Sequence, residues 1–88
     1  MKMKCELEKV EIDDEIVCVP VGAGAEIFHG ILKLNETGYE IVQLLEKETT
    51  PEQITDILSA KYETDRQTIS RYVENTIDLL RDHALIEE

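Results

Sequence analysis

The chain has 88 residues, of which 42% are apolar and 33% are charged, a composition typical of one folded domain rather than of a disordered chain. Nine basic and twenty acidic residues give a formal charge of −11. A surface with this balance repels phosphate backbones and anionic lipid headgroups, so we expect no nucleic-acid partner and no membrane partner. Because the sequence has no secretory signal and no apolar run of membrane-spanning length, we expect a cytoplasmic protein.

The first quarter of the chain predicts a β-hairpin. Residues 5–12 and 15–21 have the composition of strands, and Asp13-Asp14 between them is a typical turn pair. The apolar residues of the first strand change parity halfway along it, which predicts a bulge near Glu8-Lys9 or a shorter strand. The second strand is apolar on both parities, as in a central strand. Residues 1–4 are expected to be frayed.

The cysteines and histidines predict neither a disulfide nor a metal site. The hairpin places Cys18 beside Lys9 and leaves Cys5 well along the sheet, too far for a disulfide. The spacing of these cysteines with His29 and His83 matches no known metal-ligand motif. The sequence also lacks a P-loop and a nucleophile with a histidine nearby. We therefore expect no metal, no cofactor and no catalytic residue.

A third strand is predicted over residues 26–34, and it leads into a helix with almost no loop. Apolar residues alternate up to Leu34, and from Asn35 onward their spacing changes to three and four. Asn35 is a suitable N-cap, and Glu36 places a negative charge at the positive end of the helix dipole. Gly30, in the middle of the strand, leaves room for another side chain or backbone to approach.

Three helices are predicted after this junction, over residues 36–46, 51–62 and 66–83. Thr50–Gln53 has the sequence of a capping box with proline at the first helical position, and Thr64–Gln67 repeats the box at the next helix. The short connection between the second and third helices is typical of a helix-turn-helix.

Helical spacing defines the predicted core and a second row beside it. The core positions are Tyr39, Ile41, Val42, Leu44 and Leu45 in the first helix, Ile54, Ile57 and Leu58 in the second, and Ile69, Val73, Ile77 and Leu80 in the third. The flanking row of the third helix is Tyr72, Thr76, Leu79 and His83. Leu79 is large and apolar but lies off the core stripe, so something is expected to cover it. Residues 85–86 are predicted to be a short terminal strand or docking segment.

The predicted fold is α+β and resembles a winged helix-turn-helix, with a three-stranded antiparallel sheet followed by three helices. We expect residues 1–88 to form a single domain.

Several stretches also resemble one protein family. They are Gly30–Gly38, the capped helix start Thr50–Ile54, the turn Tyr62–Asp65, the ending Ala84–Ile86 and the stretch Val19–Gly22. Together they resemble the PqqD-like proteins, which hold the leader segment of ribosomally made precursor peptides for modifying enzymes. The chain departs from the family pattern at three positions. Many relatives have tryptophan at Val42, aspartate at Tyr72 and a helix-ending glycine at Ala84.

The resemblance implies a non-catalytic adaptor that binds a leader peptide as an extra antiparallel strand on the third strand, beside a groove along the third helix. The partners it implies are the precursor peptide and a modifying enzyme, for example a radical S-adenosylmethionine maturase. In this binding mode, His29 and Lys33 of this chain would offer donors to carboxylates on the leader. The implied peptide-binding residues are Ile27, Phe28, His29, Gly30, Ile31, Leu32, Lys33, Tyr72, Asn75, Thr76 and Leu79. Among them, Phe28 and Leu32 favour a core role, whereas Ile27 and Ile31 are better groove candidates.

Two alternative functions are compatible with the predicted fold. A winged-helix DNA binder would place Gln67, Thr68, Ser70 and Arg71 in the major groove. The charges on that helix sum to zero on an acidic chain, which disfavours this function. A structural subunit would pair its free strand edge with a second copy. We accordingly expect a monomer, or a weak homodimer through that edge.

Overall fold

The computed structural model describes residues 1–22 and 30–88 of the chain. Four strands come first, three helices follow, and one short strand ends the chain. In chain order the elements are β1 (Lys2–Met3), β2 (Glu6–Ile12), β3 (Glu15–Val21), β4 (Leu32–Leu34), α1 (Glu36–Leu44), α2 (Pro51–Lys61), α3 (Arg66–Asp82) and β5 (Ile86–Glu87).

The predicted hairpin is confirmed. β2 and β3 pair antiparallel from Glu6 opposite Val21 to Ile12 opposite Glu15, with no break in register. The predicted bulge in the first strand is therefore wrong. Asp13 and Asp14 both have positive φ, 50° and 66°, as required by the two-residue turn whose twist matches the strands. Aspartate tolerates this conformation better than most residues.

β3 is the central strand of a three-stranded sheet with the order β2-β3-β4. Its burial on both faces explains why it is apolar at both parities. β4 pairs with β3 through Ile16 opposite Leu34 and Cys18 opposite Leu32. The predicted strand over 26–34 is too long, because Gly30 and Ile31 do not belong to it. Its residues 26–29 lie outside the described part of the chain. Gly30 has no side chain to support a strand, which explains where β4 begins.

A second, two-stranded sheet joins the two ends of the chain. β1 pairs antiparallel with β5, so the prediction of a frayed start is wrong and the predicted terminal strand is confirmed. The amide of Met3 donates to the carbonyl of Leu45, and the amide of Lys4 donates to that of Leu85, both at 2.9 Å. Met3 is buried in the core. Burial of this one apolar side chain, together with main-chain pairing on both sides, holds the N-terminal residues in place.

Two of the three predicted helix caps form. The Asn35 side chain caps α1, and Thr50 and Gln53 form the complete capping box of α2. The capping box predicted at Thr64–Gln67 is wrong. α3 begins one residue later than that box requires, with Asp65 at the N-cap and no side-chain hydrogen bond to the helix amides.

The three helices and the sheet share one hydrophobic core. All four predicted core residues of α3 are buried, as are Ile41 and Val42 of α1 and Leu45 directly after it. Ile57 of α2 was predicted to be buried, but its side chain is 49% exposed. Thr55 is buried in its place, and its hydroxyl donates to the carbonyl of Pro51 at 2.8 Å. This hydrogen bond satisfies the threonine hydroxyl within its own helix, so Thr55 can be buried without an unpaired polar group.

Candidate functional site

β4 lies at an edge of the three-stranded sheet. One side of β4 pairs with β3, and no described residue pairs with its other side. The C-terminal strand β5 pairs with β1 and so leaves this edge free. An edge strand carries backbone N–H and C=O groups that point away from its sheet and can pair with an added strand.

A groove of about 470 Å³ runs between this edge, the start of α1 and the flanking row of α3. Its lining residues are Lys33, Leu34, Asn35, Gly38, Tyr72, Asn75, Thr76 and Leu79. The α3 residues among them are spaced three and four apart, so they form one face of the helix. The groove therefore combines one helix face with the open side of the sheet.

A threonine and two leucines form the bottom of the groove, and a charged side chain lies at its rim. Thr76 is 8% exposed, and Leu34 and Leu79 are partly buried against the core. Lys33 lies at the rim, with its side chain 71% exposed and its Nζ 3.9 Å from a carboxylate oxygen of Glu15. None of the described lining residues is acidic. The Lys33 side chain alternates with those of Leu32 and Leu34 along β4 and reaches toward Glu15, so the groove itself is close to neutral.

Asn35 connects three parts of the groove. Its Oδ1 accepts a hydrogen bond from the amide of Gly38 at 2.7 Å, which caps α1. Its Nδ2 donates to the hydroxyl of Tyr72 at 2.9 Å, which joins the start of α1 to α3. A Cβ atom added at Gly38 would lie 3.2 Å from Asn35 Oδ1 and 3.4 Å from Leu34 Cδ2. Glycine is therefore the residue that lets the cap and the strand end approach closely.

The structure brings five of the predicted site residues together in the groove: Lys33, Tyr72, Asn75, Thr76 and Leu79. Of the other six, Gly30 and Ile31 are exposed just before β4, and Leu32 is buried with 3% exposure. Ile27, Phe28 and His29 lie outside the described residues.

The sequence prediction missed three lining residues: Leu34, Asn35 and Gly38. All three lie at the strand-to-helix junction that the sequence predicts. The sequence indicates Asn35 as a helix cap, but it contains no signal for the close packing around Gly38.

Two other clefts of similar size lie away from the open edge. One, of about 580 Å³, is formed by β1, the start of β2 and α1, and another, of about 590 Å³, lies between the start of α2 and α3. Neither shares a lining residue with the groove. The groove combines the free edge of β4 with one face of α3, so backbone pairing and side-chain pockets can act together there.

A polar cluster on the far part of α1 links it to the end of α2. The Glu40 carboxylate accepts a hydrogen bond from the Tyr62 hydroxyl and pairs with Lys61 Nζ at 3.0 Å. The hydrogen bond from Tyr62, supported by the Lys61 cation, holds the pKa of Glu40 below its ordinary value. This cluster of Glu40, Lys61 and Tyr62 fixes α1 against α2 without any residue of the groove.

In the sheet, burial raises the pKa of the Cys18 thiol.

Two arginines of α3 form ion pairs with neighbouring carboxylates. Arg66 at the start of α3 pairs with Asp56 at 2.5 Å, and Arg81 pairs with Asp78 and Glu88. Within residues 1–22 and 30–88, no three metal-binding side chains come together. No helix of this part is both long and apolar enough to cross a bilayer.

The sequence matches the family described as coenzyme PQQ synthesis protein D (PqqD) over residues 15–86. The chain belongs to the PqqD family. The resemblance noted from the sequence is thereby confirmed, and the match runs from the start of β3 to the first residue of β5. No curated protein matches the sequence.

Two solved structures are similar to this PqqD-family chain. One is described as TbiB1 in complex with the TbiA(beta) leader peptide; it is 31% identical, has a TM-score of 0.70, and the alignment covers 99% of this chain and 95% of that one. The other is described as lasso peptide synthetase B1 complexed with the leader peptide; it is 21% identical, has a TM-score of 0.68, and 99% and 96% of the two chains are covered. The predicted fold class, a three-stranded antiparallel sheet followed by three helices, is confirmed.

Proposed function

We propose that this protein binds the leader segment of a ribosomally made precursor peptide and presents it to a modifying enzyme, without catalysing a reaction itself. The observation that carries this proposal is the open edge of β4 beside the groove on α3. Membership of the PqqD family and similarity to TbiB1, which was solved with a leader peptide, support it.

The leader would bind as an antiparallel strand beside β4. Its backbone would pair with the outward groups of Leu32–Leu34, and its alternate side chains would point into the groove. An apolar side chain of the leader would pack against Leu34 and Leu79. This contact would bury the exposed part of Leu79. Backbone pairing sets the register of the peptide, and the groove selects its sequence.

The adaptor's second partner would be the modifying enzyme, for which a radical S-adenosylmethionine maturase is one candidate. Because precursor peptides are made on ribosomes and both cysteines are free thiols, we place this encounter in the cytoplasm. The same strand edge that receives the peptide would allow a weak homodimer in its absence.

A titration followed by NMR tests the proposal. Adding the leader peptide encoded beside this gene to the ¹⁵N-labelled protein should shift the amides of Leu32–Leu34 and Tyr72–Leu79 and slow hydrogen exchange in β4. A peptide of the same composition in scrambled order is the control. The amides of Thr50–Thr55, in the cleft between α2 and α3, should stay unchanged. If the leader leaves β4 and α3 unperturbed at millimolar concentration, the adaptor function is refuted.

A further inference from the structure

The three-stranded sheet has a core face and an outer face. Cys18 of β3 is fully buried and marks the core face. Val17, its neighbour, points to the other side, because successive side chains of a strand alternate. Val10 of β2 lies directly opposite Val17, so it shares that side, and so does Ile12, two residues further along β2. We call this side the outer face.

The outer face carries an apolar pair that the protein does not cover. Val10 is 40% exposed and Ile12 is 54% exposed, and they are adjacent on one face of β2. Among the described residues, the core that the sheet shares with the helices includes Cys18 but not Val10, Val17 or Ile12. Adjacent exposed apolar side chains on an edge strand are a feature of contact surfaces.

Carboxylates surround this apolar pair. Glu8 precedes Val10 by two residues on the same face, and Glu15 lies directly opposite Ile12. Both residues of the turn are aspartates. Residues 6–15 contain six acidic side chains and one basic one, a net charge of −5. An apolar centre with an acidic rim is complementary to a protein surface that has an apolar centre and a rim of lysine or arginine.

We propose that the outer face of the β2-β3 hairpin, centred on Val10 and Ile12, is the surface on which the modifying enzyme docks, through an apolar patch bordered by basic residues. This inference rests on the proposed function. The charge of the hairpin argues against other occupants. A second copy of a chain of charge −11 would place like charges against each other, and nucleic acid and anionic lipid would be repelled in the same way.

The outer face stays free when a leader peptide is bound. β3 separates β2 from β4, and neighbouring strands are about 4.8 Å apart, so a leader strand beside β4 lies about 14 Å from β2. Because an added strand continues the sheet, every second side chain of the leader stands on the outer face. An interface of ordinary size, about 800 Å² on each partner, covers both the hairpin and these side chains. One enzyme surface therefore contacts the adaptor and the leader together.

The apolar centre is tested by the double variant Val10→Thr/Ile12→Thr, which keeps the β-branched shape that strands favour. The matched control is Ile57→Thr on α2, where the isoleucine is similarly exposed, at 49%. Each protein is first titrated by fluorescence anisotropy with the labelled leader peptide encoded beside this gene, and its affinity should stay within about twofold of the wild type. Biolayer interferometry then measures how the leader-loaded protein binds the purified modifying enzyme encoded beside this gene. The double variant should bind the enzyme roughly tenfold more weakly, and Ile57→Thr less than about twofold more weakly.

The acidic rim is tested by Glu8→Gln/Glu15→Gln, which removes two charges and keeps the size of both side chains. Its control is Glu63→Gln/Glu74→Gln, which removes the same charge at exposed positions outside the hairpin. At about 50 mM NaCl the rim variant should bind the enzyme roughly fivefold more weakly than the wild type, and the control variant should stay within about twofold. At about 500 mM NaCl the difference between the rim variant and the wild type should fall below about twofold, because salt screens these charges.

The results that would overturn the inference are distinguishable. If the wild type binds the leader but not the enzyme, or if it binds the enzyme no better than the two hairpin variants do, the outer face is not the docking surface. A loss of leader binding in Val10→Thr/Ile12→Thr, with an unchanged circular dichroism spectrum, shows that the leader itself occupies the outer face. A dimer seen in sedimentation of the wild type and absent in this variant shows that a second copy does. Failure of the wild type to bind the leader is detected in the first titration and refutes the proposed function itself.

Discussion

Replacing Ala84 by glycine should stabilise this protein, because Ala84 ends α3 in a left-handed backbone conformation with a φ of 57°. The amide of Ala84 donates to the carbonyl of Arg81 at 3.0 Å, and the amide of Leu85 donates to that of Leu80 at 2.9 Å. These two hydrogen bonds define a Schellman motif, and the completely buried Leu80 and Leu85 supply its hydrophobic contact. Glycine is the usual residue at the position that Ala84 occupies.

The size of the gain follows from two opposing effects. A non-glycine residue in the left-handed region costs about 1–2 kcal/mol relative to glycine. Glycine gives the unfolded chain more freedom, which costs about 0.4–1 kcal/mol. The difference favours Ala84→Gly by about 0.5–1 kcal/mol, which should raise the melting temperature by about 3–6 °C in a domain of this length. Urea unfolding followed by circular dichroism measures the free energy directly.

The control is the same substitution at the exposed Ala60 in α2. There the backbone is helical, so Ala60→Gly should destabilise the protein by about 0.5–1 kcal/mol. The two variants lose the same methyl group but should move the stability in opposite directions. If Ala84→Gly also destabilises the protein, strain at the end of α3 does not limit its stability and the reasoning is refuted.

Other predictions concern the groove, pH, DNA and self-association. Leu79→Ala should weaken leader binding about tenfold in an anisotropy titration, because a partly buried leucine contributes on the order of 1–1.5 kcal/mol of apolar contact. Because Tyr62 and Lys61 lower the pKa of Glu40, its carboxylate stabilises the fold above the unfolded pKa, and this contribution is lost as pH falls through the folded pKa. The advantage of the wild type over Glu40→Gln in urea midpoints should thus be full above about pH 5 and vanish on further acidification. A gel-shift experiment at low salt with upstream DNA should show no retarded band, since phosphate binding needs a basic surface. Sedimentation should show any dimer dissociating when leader peptide is added, because both would use the β4 edge.

The fold was predictable where one residue type has a single local role. Asn35 and Thr50 precede helices and cap them, and Asp13-Asp14 lies between two strands and forms their turn. These signals depend only on neighbouring residues in the sequence. The spacing of apolar residues along α3 identifies its buried face in the same way. Local rules suffice for such features.

Predictions were wrong where distant parts of the chain compete. Residues 1–4 carry no strong strand pattern, but β5 and the end of α1 supply hydrogen-bonding partners for them. Ile57 satisfies the helical spacing, but the packing of α2 on α3 buries Thr55 instead. Neither the pairing of residues 1–4 nor the packing of α2 can be predicted from nearby residues, because both depend on other elements of the chain.

The candidate site was predictable where it follows from local spacing and unpredictable where it depends on a contact between distant residues. Tyr72, Asn75, Thr76 and Leu79 follow from helical spacing once a groove beside α3 is assumed. The role of Asn35 does not follow, because the sequence indicates a helix cap and contains no sign that the other end of the amide reaches Tyr72. That contact spans 37 residues of chain and depends on how α3 crosses the start of α1.

Because β4 is short, backbone hydrogen bonds can supply only a small part of the affinity for a peptide, and side chains in the groove must supply the rest. Along an edge strand every second residue turns its backbone groups outward, so three residues offer about two to four hydrogen bonds to an added strand. At a net value of about 0.5–1.5 kcal/mol each, these bonds do little more than offset the ordering of the bound peptide. Side chains in the groove must supply most of the remaining affinity. Changes at Leu79 or Tyr72 should therefore alter which leader peptides bind, whereas a change that blocks the edge of β4 should weaken all of them alike.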